Sequence, residues 1–165
     1  MAAWTTTPRT WSVGETVTAA NMNAQLRDFA NAFGAWASYT PTWTASTTNP
    51  TNTTLVGAYM QVQKTVTFRA QGTAAASFTA GSGAYIVALP AAATASADQV
   101  VPGRILDSST GFYYRGVGGI TASASTITRG HFVDGAASSA GFSNTVPMTW
   151  AVSDVWVFTG SYEAA

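Results

Sequence analysis

The stretch Thr65-Val66-Thr67-Phe68-Arg69-Ala70-Gln71 alternates apolar and polar side chains almost residue by residue. In an extended chain successive side chains point to opposite faces, so Val66, Phe68 and Ala70 make an apolar face while Thr65, Thr67 and Arg69 make a polar one. This is the pattern of a strand half-buried in a sheet. Short apolar runs broken by Gly, Pro, Asn and Ser recur from Tyr39 onward. They place further strands at residues 40–45, 55–62, 84–89, 101–106, 112–117, 125–133 and 149–159, with 65–71 among them. Many short strands at such spacing argue for a mainly β domain of β-sandwich or jelly-roll type. The Ala/Ser/Thr/Asn-rich segments 46–54, 91–99 and 135–144 read as its surface loops.

Upstream the period changes. Ala19, Met22, Leu26, Phe29, Phe33 and Trp36 recur at steps of three and four residues, the spacing of a heptad seam. Thr18 is placed to cap a helix over the segment that follows, while Gly34 weakens its last turn by about 1 kcal/mol relative to Ala. Three aromatic side chains on one edge need covering, either by the downstream domain or by copies of the same helix. Two heptads barely exceed the roughly 12–15 residues below which an isolated helix is marginal. Such a seam holds an oligomer only if the domain behind it also associates. Residues 1–15 are Thr-rich, carry Trp4 and Trp11 with Pro8 between them, and have no regular period. They read as an extended arm whose tryptophans either fold back or plug into a larger structure. The chain thus divides into an arm (1–17), an oligomerisation helix (18–37) and a β domain (38–165).

With 165 residues the chain suits one domain with a sizeable core; two would be cramped. Only 8% of residues are charged and the formal net charge is zero, so no basic face is expected for nucleic acid or anionic lipid. Sparse charge beside 47% hydrophobic residues is a poor recipe for a solvated monomer and points to burial in an assembly. The absence of cysteine excludes disulfides, thiolate metal sites and a cysteine nucleophile. Residues 1–9 lack the apolar run of a secretory signal, and no stretch approaches a membrane span; a product made soluble in the cytosol is expected.

The sequence offers little chemistry. Gly116, Gly118 and Gly119 form no phosphate or dinucleotide fingerprint. His131 is the sole histidine and reads as a polar residue on a sheet face; only on a threefold axis would it supply three imidazoles to an ion. Glycan hydrolysis requires two carboxylates roughly 5–9.5 Å apart, and Asp98, Asp107, Asp134 and Asp154 form no local pair. They read as turn residues and strand ends. Tyr113 and Tyr114 beside Arg115 have faces suited to sugar rings, but alternation sends them to opposite sides of a strand.

One resemblance spans nearly the whole chain. Trp11-Ser12-Val13-Gly14-Glu15, then Val17 to Asn23, Arg27 and Asp28 resemble the opening of small virion proteins of tailed phages infecting actinobacteria. Tyr39-Thr40-Pro41-Thr42-Trp43, Gly57 with Tyr59, and Pro147, Trp150, Asp154, Gly160, Tyr162 and Glu163 continue it. The family comprises proteins called minor tail, tail-fibre or head-fibre proteins. The resemblance implies a homotrimeric, non-enzymatic virion component without cofactor or metal, assembled in the host cytoplasm. Its expected partners are itself, other tail or capsid proteins and a host-surface glycan, with no nucleic acid and no membrane insertion. The seam residues would trimerise it and Trp4 and Trp11 would dock it on the particle. The leading expectation is a tail-associated fibre or spike for host-surface attachment; a capsid decoration or head-fibre protein is the alternative reading, and a polysaccharide depolymerase a third.

Overall fold

The computed structural model describes residues 12–23, 36–94, 96–133 and 140–165. A short helix, α1 (Ala19–Met22), begins where the sequence places it: the Thr18 hydroxyl oxygen accepts from the Asn21 N–H at 3.1 Å. This satisfies one of the amides that a helix start leaves without an intrahelical partner.

Eleven strands follow: β1 (Ala37–Tyr39), β2 (Trp43–Ala45), β3 (Thr51–Val62), β4 (Thr65–Thr79), β5 (Tyr85–Ala88), β6 (Gln99–Asp107), β7 (Phe112–Ile120), β8 (Thr126–Ile127), β9 (Arg129–Val133), β10 (Ala140–Gly141) and β11 (Val155–Glu163). Eight of them form one antiparallel sheet in the order β1-β3-β4-β11-β6-β7-β9-β10, and β2-β5-β8 form a second, three-stranded antiparallel sheet. The chain is therefore mainly β. Both edges of the large sheet are short strands, which limits the row of unpaired amides available for edge-to-edge association.

The expected strand at 65–71 is the first half of β4, whose register with β3 breaks between Thr51 and Thr53. There the single β3 residue Asn52, at φ 55°, stands against the longer β4 segment 75–78, and its side-chain amide donates to the Ser77 carbonyl at 2.7 Å. Within that segment Phe78 stacks on Trp43 of the small sheet, with centroids 5.6 Å apart. Several expectations change: β3 begins inside the expected loop 46–54, at Thr51, and the strand expected over 149–159 begins only at Val155 and runs on to Glu163. Residues 125–133 hold two strands that belong to different sheets, β8 and β9. The expected loop 135–144 contains β10, the edge partner of β9.

Alternate residues of the large sheet fill the core. Val66, Phe68 and Ala70 of β4, Val101 and Ile105 of β6, Phe132 of β9 and Trp156 and Phe158 of β11 are each at most 1% exposed. The small sheet meets them with Trp43, Tyr85, Val87 and Ile127, all buried. Trp43 lies edge-on to Trp156 at 5.7 Å and to Trp150 at 5.1 Å, while Tyr85 meets Phe142 at 5.0 Å. Rings this large fit because glycines lie beneath them: a Cβ on Gly72 would collide with the Trp156 indole, and one on Gly103 or Gly118 would stand 2.7 or 2.8 Å from the Phe158 ring.

Candidate functional site

The strand period that sends Phe68 into the core sends Arg69 to the opposite face of the large sheet. Cross-strand register then decides what stands beside it. One row runs Val56-Gln71-Val157-Arg104-Arg115-Val133 across β3, β4, β11, β6, β7 and β9. A neighbouring row on the same face carries Ala58, Arg69 and Thr159 and, towards the β9 edge, Pro102, Val117 and His131. The next holds Thr67 with Ser161, and Gly119 with Arg129. Arg69, Arg104, Arg115 and Arg129 are all exposed, so four of the chain's seven basic residues share one face.

This is a correction to the expectation drawn from net charge. Among the described residues, most carboxylates are engaged by backbone amides. Asp154 is 1% exposed, and its two carboxylate oxygens accept from the Ser108 and Ala151 amides at 2.8 and 2.6 Å. Asp107 closes the β6–β7 turn, accepting from the Ser109 hydroxyl and amide at 2.7 and 3.0 Å, and that hydroxyl holds its carboxyl below the ordinary value. Asp98 accepts from the Ala122 amide at 2.9 Å. Glu163, at the far end of β11 opposite Thr65, shares the arginine face, and Asp98 borders it near Arg129.

The same face leaves apolar groups in water. Val100 is 69% exposed, Val56 53% and Tyr113 50%, with Val117 and Val133 also open. Arg104 lies over the Tyr113 ring at 5.4 Å and Arg69 over Trp36 at 5.6 Å, cation–π contacts that hold two guanidinium groups against flat carbon surfaces. Two shallow depressions flank the central arginine pair. One, of about 250 Å³, is lined by Val56, Arg69, Gln71 and Val157; the other, of about 190 Å³, by Asp98, Val100, Val117, Arg129 and His131.

Several expected site residues can be placed. Ala19 and Met22 both lie in α1 and are exposed, Met22 by 39%. Trp36 is not helical: it precedes β1 and rests beside Arg69, so the helical span does not reach 37. Leu26, Phe29, Phe33, Trp4 and Trp11 lie outside the described residues. His131 stands on a sheet face, as its sequence context indicated, opposite Val117 and Gly141. Tyr113 and Tyr114 take opposite sides of β7: Tyr113 joins the arginine face, and Tyr114 packs at the border of the core.

Some of the residues that suggested a resemblance in the sequence lie in the core, whereas Val13 and Val17 are exposed. Trp43, Trp150 and Tyr162 are buried, and the Tyr162 hydroxyl donates to the Ala91 carbonyl at 2.7 Å and accepts from its amide at 3.1 Å. Burial pushes its pKa up to about 12. Sequence reasoning missed the arginine face, although a signal existed: each arginine has the opposite parity to the core residues of its strand. Among the described residues, no group of three or more His, Asp or Glu side chains is placed to hold a metal ion. Comparison with known proteins found no matching family model, no matching curated protein and no matching solved structure.

Proposed function

We propose that this chain is a structural subunit of a phage virion, a homotrimeric fibre or spike protein that meets the host surface through its β domain. The observation that carries the reading is the outer face of the large sheet, where exposed valines and arginines lie side by side on a rigid antiparallel scaffold. A surface of that kind is built for contact, and large exposed apolar patches rimmed by polar groups mark interaction sites. The two sheets are read as a partial sandwich in which the small sheet covers the inner face and leaves the outer one open. Asp98, Asp107 and Asp154 each bind backbone amides, which argues against their use as a hydrolytic pair.

A specific observation favours the second reading, a capsid decoration protein. Trp36 lies on its own domain beside Arg69 instead of continuing the seam. If the rest of the stripe did likewise, no helical trimer would form.

Light scattering on the full-length protein separates the two. The fibre reading expects a mass three times the 17.0 kDa chain, with Phe29→Asp reducing it to monomer. A monomeric wild type overturns the fibre reading and leaves decoration of a particle as the surviving role.

A further inference from the structure

We propose that the outer face of the eight-stranded sheet is a binding surface for an acidic polysaccharide. The inference deepens the host-attachment reading and rests on it for the biological source of the polymer. It does not depend on trimer formation, so the two can fail separately.

Arg104 and Arg115 are direct cross-strand partners in β6 and β7. Like charges placed opposite one another on a sheet destabilise it. The pair is therefore a cost to the fold that an anionic ligand removes. Arg69 and Arg129 extend the positive surface along β4 and β9, four strand spacings apart in the order β4-β11-β6-β7-β9, or about 19 Å across the sheet. That arrangement suits an extended polymer bearing repeated negative charge better than a single small anion.

Three occupants fit the exposure, and charge and chemistry choose among them. A second copy docking face to face by a twofold axis would bring both arginine pairs together, which the surface charge opposes. Single-stranded nucleic acid would supply phosphate, but sheets that bind it offer aromatic platforms on which successive bases stack. Here the middle of the face carries Gln71, Val157, Thr159, Thr67 and Ser161 instead, with Tyr113 and Trp36 towards its margins. Hydroxyl and amide side chains interspersed with aliphatic ones match the hydroxyls and C–H faces of sugar rings. Arg supplies the fork that pairs bidentately with carboxylate or phosphate. Tyr113, half exposed beside Arg104, adds aromatic carbon surface that a sugar ring can contact.

The test is titration of the purified full-length protein with polygalacturonate as the carboxylated probe. Neutral pullulan and poly(dT) run in parallel, at about 20 mM and about 500 mM salt. The expected result is binding to polygalacturonate that weakens with salt, with neither control bound as tightly. The double variant Arg104→Gln/Arg115→Gln should weaken binding at least about tenfold without lowering Tm, since it relieves a like-charge pair. Should that variant fail to fold, Arg129→Gln decides instead, with an expected loss of about threefold or more from one ion-pairing group. Equal binding to pullulan, tighter binding to poly(dT), or undiminished affinity in a folded arginine variant would overturn the proposal.

Discussion

Phe68 and Arg69 are consecutive in β4, yet one is wholly buried and the other exposed, and the two faces they represent follow different rules. On the inner face every ring has a fitted place: Trp156 lies on Gly72, Phe158 over Gly103 and Gly118, and Tyr39 on Gly57. Nothing there changes volume without disturbing a neighbour. On the outer face Val56, Val100 and Val133 touch water, and Arg104 faces Arg115. Stability explains the first arrangement and not the second. Like-charge pairing and wet valines are what the proposed binding role of this face would account for.

The sharpest way to break this contrast is to exchange the faces' sensitivities. Trp156→Ala should cost about 3–5 kcal/mol in denaturant unfolding, because it empties the centre of the inner face, where the indole is fully buried. Gly72→Val should be destabilising too, the added atoms meeting that same indole. If either variant unfolds at the wild-type midpoint, the inner face is not the tightly fitted layer described.

Alkali supplies a second probe confined to the inner layer. Burial raises the Tyr162 pKa from 10.0 to about 12, and it raises those of Tyr39 and Tyr85 as well. For a group whose folded pKa is raised, the stabilisation is complete below the unfolded value, here 10.0, and is lost as pH rises through the folded one. Stability should therefore fall between about pH 10 and pH 12, with tyrosinate absorbance appearing as the fold is lost. Tyr162→Phe should soften that fall. Ionisation of all tyrosines near pH 10 in the intact protein would contradict their burial.

The smallest effects belong outside. Val56→Thr and Val100→Thr should each shift unfolding by no more than about 0.5 kcal/mol, since these side chains have little packing to lose. A cost comparable to that of Trp156→Ala would mean that the outer face is covered in the protein tested, and light scattering would then show whether a second copy covers it.

Much of the scaffold was legible in the chain. The alternation at Val66, Phe68 and Ala70 marks β4, and Thr18 marks the start of α1. Of the residues that suggested a resemblance in the sequence, Trp43 and Trp150 are core residues and Asp154 is a buried acceptor for backbone amides, while Val13 and Val17 are exposed. The candidate site was not legible in the same way. Net charge is a sum, and a sum of zero does not reveal that carboxylates sit in turns and in the core while arginines collect on one sheet face. Trp36, beyond the Gly34 that weakens the helix, shows where a local period stops deciding. Its spacing fits the helical stripe, yet a few residues of strand and a guanidinium to rest against placed it at a sheet edge.

By itself, the sequence determined the β class, the two faces of the strand at 65–71, the opposite facing of Tyr113 and Tyr114, and the helix start, because side-chain period and capping are local properties of a chain. Tertiary structure decided that β11 separates β4 from β6, that residues 125–133 divide between two sheets, and that Arg104 meets Arg115. Period two says which side of a strand a residue occupies, but only long-range pairing, selected by how the rings of the core fit together, says which strand lies next to it.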